Sequence, residues 1–387
     1  TTNILLTDMK HYFLFILLSA AIATGGCTEE LQPQTCGTNG TVPDESELTE
    51  AVLNLSVNAF VVEAQAETRA SIPSGTPEKE TPEEKEIHNI WVFQYDAATK
   101  ELLIKPRYYT ITDQAMLQDL PVYLKAGVPS VVYVVTNTGY DNWANDGTDA
   151  SWQKFKQLEQ LKKQTLPTAF PLRSIDKVSI PMAGASEEVE VTTGITVTVP
   201  VTRMYAKLKV KVEMRKAEME LNNVNVRQIP NICRVETLAG DGKGEPMEPV
   251  PFPDETTFSS IAFAASDLEK NEDKEWAVFY VPENLQGETQ TQGGNKSDAA
   301  PSNALVVDIT TEIGGERYLY AAYPGGNSLN NFNIQRNQVY RITVTITGEK
   351  NQNNPSANCF VVKPDGFLSF EPYYRVETGA DTILQTI

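Results

Sequence analysis

The sequence predicts an all-β protein, built as two tandem antiparallel β-sandwiches with one short helix. Three observations carry that expectation. Apolar and polar residues alternate with period two in run after run. Segments rich in Gly, Pro, Asn and Ser separate those runs. A helical repeat occurs only once, at Ser151–Lys163. Strands at this density with turn-rich connections stack as sandwiches.

Met9 reads as the natural start, with residues 1–8 outside the natural protein. Lys10 and His11 lead into the apolar run Tyr12–Ile22. That run has the length of a secretory signal's apolar region, far below the ~20 residues of a membrane-spanning helix. Thr24, Gly25 and Gly26 ahead of Cys27 resemble a relaxed bacterial lipoprotein box, which makes Cys27 the acylated first residue of the mature chain. Several acyl chains, at ~0.8 kcal/mol per buried methylene, hold such a protein on a membrane without a spanning helix. A plain signal peptide with an incidental cysteine is the other reading.

Residues 28–50 are polar and aperiodic, a flexible tether. Glu29 and Glu30 resemble the surface-export signal of some Bacteroidales lipoproteins. A strand at 53–61 follows, with Leu53, Leu55, Val57, Ala59 and Val61 on one face. The linker 63–86 then turns to Pro, Gly, Ser, Thr and charge, an exposed segment of the kind proteases find first. It holds Arg69, the one arginine between the leader and Arg107.

Strand-like runs follow at Ile90–Tyr95, Val131–Thr136, Val189–Val191, Ile195–Val199, Met204–Val212, Ala277–Val281, Leu305–Ile309, Tyr318–Tyr323 and Tyr340–Thr347. Two are unambiguous. Met204, Ala206, Leu208, Val210 and Val212 oppose Lys207, Lys209 and Lys211, and Tyr340, Ile342, Val344 and Ile346 oppose Arg341, Thr343, Thr345 and Thr347. Between the second and third runs, Trp152, Phe155, Leu158 and Leu161 give the helix a narrow packing stripe, with Asp149 or Ser151 as cap. Pro200 marks a seam between a domain at 51–200 and a second at 201–350. Residues 351–387 read as a C-terminal extension whose alternation is broken by Pro364, Gly366 and Pro372.

Composition narrows the function classes. Without the leader about 360 residues remain, enough for two domains of ordinary size. A net charge of -19 repels phosphate backbones, which argues against a nucleic-acid partner. Of 2 histidines, His11 leaves with the leader, so a Ser-His-Asp triad or a zinc site would rest wholly on His88. Walker, GxGxxG and calcium-loop motifs are missing, and the segment Asp141–Asp149 lacks calcium-ligand spacing. Neither a catalytic residue, a metal site nor a cofactor is assigned. Cys36, Cys233 and Cys359 are too scattered for a disulfide framework, with a Cys233–Cys359 bridge left open.

Several segments share one resemblance. Asn333–Gly348 (NIQRNQVYRITVTITG) resembles the closing segment of the C-terminal domain of FimA-type fimbrillins, the type V pilins of Bacteroidales. Phe279–Asn284 (FYVPEN) is similar to that family's Tyr-Val-x-Glu-Asn element. Pro200–Val212 resembles the first strand of its second domain, and Val131–Gly139, with the helix, resembles a strand and turn of its first. The resemblance implies transthyretin-like sandwiches, lipoprotein export to the outer-membrane surface and assembly by strand exchange. An arginine-specific surface protease would cut after Arg69, the strand 53–61 would leave, and a strand of a neighbouring fimbrial subunit would fill the groove. Stalk, tip and anchor positions stay open, an anchor being uncut. A donor strand at Phe367–Val376 fits the pattern poorly.

Two other classes remain. A surface glycan-binding lipoprotein would use an exposed aromatic, and Trp143 in the polar loop YDNWANDG is the candidate adhesive contact for a host or bacterial ligand. An exported hydrolase would need carboxylates converging across strands.

Overall fold

A computed structural model describes residues 48–58, 80–139, 141–144, 148–169, 172–174, 176, 179–215, 217–236, 248–271, 274–289, 296–326, 330–346, 360–364, 377–378 and 381–382. Cys27, Cys36, Ala59, Val61, Arg69, Cys359 and the segment Phe367–Val376 lie outside them.

The fold is all-β. Its first half runs through β1 (Leu48–Val57), β2 (Asn89–Asp96), β3 (Arg107–Thr110), β4 (Leu120–Lys125), β5 (Pro129–Thr136), the helices α1 (Asp149–Gln153) and α2 (Leu158–Lys162), β6 (Thr165–Pro167), β7 (Met182–Ala185), β8 (Val189–Glu190) and β9 (Thr196–Arg203). Strand order is β3-β2-β5-β7-β9-β1-β4, with β8 pairing β5. β9 serves both layers. Its residues Thr196–Val201 pair with β1, and Thr202 and Arg203 pair with β7. Alternation decides which side chains go inward. In β9, Val197, Val199 and Val201 are buried while Thr196, Thr198 and Pro200 are exposed. They meet Ile90, Val92, Val132 and Val134 from β2 and β5 in one apolar cluster.

β2 is buried on both faces. Trp91, Phe93 and Tyr95 point away from that cluster, and with Phe155, Leu158 and Leu161 they form part of a second. The second cluster continues without a break into the other half of the chain. That half contains β10 (Tyr205–Met214), β11 (Glu220–Pro230), β12 (Ile232–Arg234), β13 (Phe258–Ala264), β14 (Ala277–Pro282), β15 (Asn284–Glu288), β16 (Val306–Ile313), β17 (Glu316–Ala322), β18 (Asn331–Ile334), β19 (Val339–Ile346), β20 (Phe360–Pro364) and the short pair β21 (Glu377–Thr378) and β22 (Asp381–Thr382). The sheets β14-β10-β19-β20 and β13-β11-β16-β17 contribute to one core, where Phe263 of β13 meets Phe279 of β14 edge-on at 5.7 Å. The halves are stitched together where β6 pairs with β12 and where the Tyr280 amide donates to the Leu172 carbonyl at 2.8 Å.

Several expectations are corrected. The single helix is two, because Gln157 between them is extended and bridges Glu101. Leu102 N donates to Lys156 O at 2.8 Å and Leu158 N to Lys100 O at 3.0 Å. The first strand begins at Leu48, not 53, and buries Ala51 as well as Leu53 and Leu55, with Val57 half-buried. The chain bends between the two halves at Met204, beyond Pro200, which lies inside β9. Lys207 does not face solvent; it is 4% exposed. Cys233 is a free, buried thiol 3.9 Å from the Met204 sulfur, and burial pushes it up to about 12.

Gly184 of β7 crosses β9 so closely that a Cβ there would stand 1.8 Å from the Pro200 carbonyl oxygen. Both partners are backbone and cannot turn aside. Gly184→Ala is therefore expected to cost at least the ~1–3 kcal/mol of an overpacked core, read as a lowered melting temperature in circular dichroism. An unchanged melting temperature would contradict this packing.

Burial raises the phenols of Tyr95, Tyr133 and Tyr205 above their ordinary value of 10.0. Above pH 10 the unfolded chain releases these protons and the folded chain keeps them, so stability falls as pH rises beyond that point. The share of the tyrosinate absorbance that comes from these three buried phenols should consequently appear together with loss of near-UV dichroism. Full ionisation with the dichroism intact would refute the sealed environment.

Candidate functional site

β1 occupies an unusual place for the first strand of a sheet. Leu48–Leu53 pair antiparallel with Lys125–Leu120 of β4 along one side. Val52–Val57 pair parallel with Thr196–Val201 of β9 along the other. Among the described residues β4 pairs with no other strand, so β1 is what attaches it to the sheet. Burying Leu53 and Leu55 contributes ~1.5–3 kcal/mol each. Without β1, two backbone edges and an apolar trough would be open together.

Covalently, β1 is tied to the rest of the described fold only through residues 59–79, the stretch that contains Arg69. Both described ends of that stretch reach one side chain. Arg203, at the end of β9, is fully buried. Its Nη1 donates to the Asn58 carbonyl at 2.7 Å, pairs with Glu80 Oε1 at 2.9 Å and donates to Asn337 Oδ1 at 3.2 Å. Its Nε donates to the Glu84 carbonyl at 2.8 Å. Asn58 is held further by its amide on Val201 O at 2.9 Å and its Nδ2 on Thr202 Oγ1 at 2.8 Å.

The return limb is equally fixed. The 3-10 turn Pro82–Lys85 carries Glu84, whose Oε1 accepts from Tyr280 Oη at 2.6 Å and from Lys207 Nζ at 2.7 Å. Glu84 Oε2 accepts the Thr81 amide at 3.0 Å. At the end of the linker the side chains of Glu80 and Glu84 are therefore buried, against the expectation of an exposed segment, because two buried cations require carboxylates beside them, while Pro82, Glu83 and Lys85 stay exposed. Burial pulls the Arg203 guanidinium's pKa down, and Glu80 and Glu84 oppose that. Burial first, and then the Glu84 carboxylate, raise the Tyr280 phenol.

The segments of the resemblance meet around this cluster. Arg203 and Lys207 belong to Pro200–Val212, Tyr280 to FYVPEN and Asn337 to NIQRNQVY. Glu283 and Arg336 from the latter two pair at 3.0 Å, and Arg336 also donates to the carbonyls of Val235 and Arg234. Asn337 takes a positive φ of 58°, as does Asn137 of Val131–Gly139 at 54°. Asn137 ties the chain near the linker's end to the sheet, accepting from His88 N at 2.8 Å and donating to the carbonyls of Glu86 and Ile180.

Other sequence candidates fall elsewhere. Trp143 is not free in solvent. It is half-buried, packed edge-on against Phe155 at 5.1 Å and Phe93 at 6.1 Å, because its loop folds over the aromatic face of β2. His88 is half-buried, its Nε2 3.5 Å from a Glu86 oxygen. Among the described residues no group of His, Cys, Asp and Glu is placed to hold a metal ion. A polar cleft of about 270 Å³ lies beside Glu83, Asp176, Lys270 and Tyr280. Sequence reading did not find Arg203, Glu80 or Glu84. A lone arginine ending an otherwise apolar alternation was the signal for the first.

Residues 279–344, from β14 to β19, match a family model described as a domain of unknown function, DUF4906. The chain matches no curated protein. Among solved structures it is similar to the tip fimbrial protein Mfa3 from Porphyromonas gingivalis with C-terminal truncation, at 14% identity and a TM-score of 0.48, covering 82% of this chain and 98% of that one. It is similar to a fimbrilin (FimA) from Porphyromonas gingivalis at 13% identity and a TM-score of 0.44, covering 81% and 96%. A fimbrial assembly protein from Parabacteroides distasonis is similar at 14% identity and a TM-score of 0.43, covering 82% and 96%.

Proposed function

We propose that this chain is a structural or adhesive subunit of a cell-surface fimbria, without catalytic activity, assembled by exchange of its first strand. On this reading it reaches the outer membrane as a lipoprotein acylated at Cys27. An arginine-specific surface protease cuts after Arg69, β1 leaves, and a strand of a neighbouring subunit takes its place between β9 and β4. The observation that carries the reading is the position of β1. Among the described residues it is interior to the sheet by hydrogen bonding, yet first along the chain, joined to the rest of the described fold through residues 59–79, which contain an arginine. A strand placed in this way can be exchanged without rebuilding the rest of the fold.

The test is digestion of the soluble chain from Thr28 onward with an arginine-specific protease, beside an Arg69→Ala control. The expected result is one early cut, with Ala70 as the new N-terminal residue, followed by multimers that persist on an unboiled gel. Arg69→Ala should remain intact and monomeric. A cut without multimers would assign a tip or cap subunit that lacks a usable donor strand. Resistance at Arg69 would leave an uncut anchor and remove strand exchange from the reading.

A further inference from the structure

We propose that Arg203 is the specificity-determining residue at the end of the β1 groove: its guanidinium requires a main-chain carbonyl from whichever strand fills the groove. The inference rests on the strand-exchange reading above and adds which group of the body recognises the incoming strand, and where.

Side-chain alternation alone leaves the length of the occupying strand open. The apolar positions Ala51, Leu53, Leu55 and half-buried Val57 are all filled before Asn58, the exposed residue that follows the strand. A shorter strand could bury the same side chains. The far end of the groove is closed by backbone and charge instead. Val201 O, Thr202 Oγ1 and Arg203 Nη1 all contact Asn58.

Of these, Arg203 is the demanding partner, because it is fully buried and charged. Glu80, Glu84 and Asn337, which also bond it, lie on the body side of the linker and stay when β1 goes. The Asn58 carbonyl leaves with β1. A replacement strand that stops short takes an acceptor from a buried cation, whereas one that reaches the Asn58 position restores it. Hydrogen bonds to charged groups are worth enough to separate two such strands by roughly 10- to 100-fold in affinity. Arg203 thus sets the minimum reach of an acceptable strand, and a subunit with a short or proline-broken strand is refused.

The test uses the full chain nicked at Arg69, from which labelled β1 is displaced by excess synthetic peptide. A peptide matching residues 48–58 is compared with one matching 48–57, which keeps Val57, on the wild type and on Arg203→Met. The longer peptide should bind wild type roughly 10- to 100-fold more tightly, and most of that advantage should vanish on Arg203→Met. Because Arg203→Met can fail to fold, a third peptide carries a thioamide in place of the Asn58 carbonyl and is tested on the unaltered protein. Its weaker acceptor should reproduce most of the loss. Equal binding of the amide and thioamide peptides would overturn the role of Arg203 and leave strand exchange standing. Failure of every peptide to displace β1 would overturn both.

Discussion

A guanidinium buried to zero exposure is the constraint on which the arrangement around the groove depends. Such a group persists in an interior only where carboxylates and carbonyls surround it. Arg203 draws these from three separate places: the residue after β1 at Asn58, the return limb at Glu80 and Glu84, and Asn337 before β19. Each partner is thereby fixed relative to the others. Lys207 and Tyr280 extend the cluster through the Glu84 carboxylate, which carries it into β10 and β14. The removal of one member leaves an uncompensated charge in the interior, a larger loss than the pair contributes when intact. The cluster therefore does more to define one geometry than to add stability.

That geometry explains why the sequence segments shared by resemblance are where they are. Asn137 and Asn337 take left-handed turns that few side chains tolerate, and their amide groups bond across elements far apart in sequence. Glu283 and Arg336 pair at the end of β14 with the carbonyls of 234 and 235 beside them. A segment such as NIQRNQVY is recognisable because corners demand particular residues, whereas the strands between corners accept any apolar alternation.

The same distinction sets what was legible in the sequence. Strands with one apolar face and Lys or Thr on the other, such as β10 and β19, stand out because a half-buried sheet imposes period two. β11 was missed because asparagines at 222, 223 and 225 mask the alternation of Val224 and Val226, and β4 because Pro121 interrupts it. The helix split because residues 156–158 bond to a partner far away in sequence, which no local repeat records. Trp143 was taken for exposed because its neighbours are polar, yet aromatic rings from β2 and residue 155 lie beneath it. The ion cluster was the least legible part. Glu80 and Glu84 sit in a run that reads as solvated linker, and only the tertiary fold shows that Arg203 and Lys207 wait beneath them.

On the proposed strand-exchange reading, a cut in the linker is necessary but insufficient. Severing 59–79 leaves both ladders of β1, its buried leucines and the Asn58 bonds untouched, because none of them depends on chain continuity. What changes is the competition. Before the cut, an incoming strand competes with a segment tethered at high effective concentration and cannot win. After it, displacement becomes an ordinary bimolecular exchange, settled by which strand better satisfies the same edges. Hydrophobic burial is nearly equal for any strand of suitable alternation, so it selects weakly. Backbone edges are generic as well. The one partner in the groove that is intolerant of a poor fit is the buried cation at its end, since an acceptor missing there is not replaced by water. On the proposed reading, discrimination among strands therefore falls on the last carbonyl, while Leu53 and Leu55 contribute burial that any strand of the same alternation would supply.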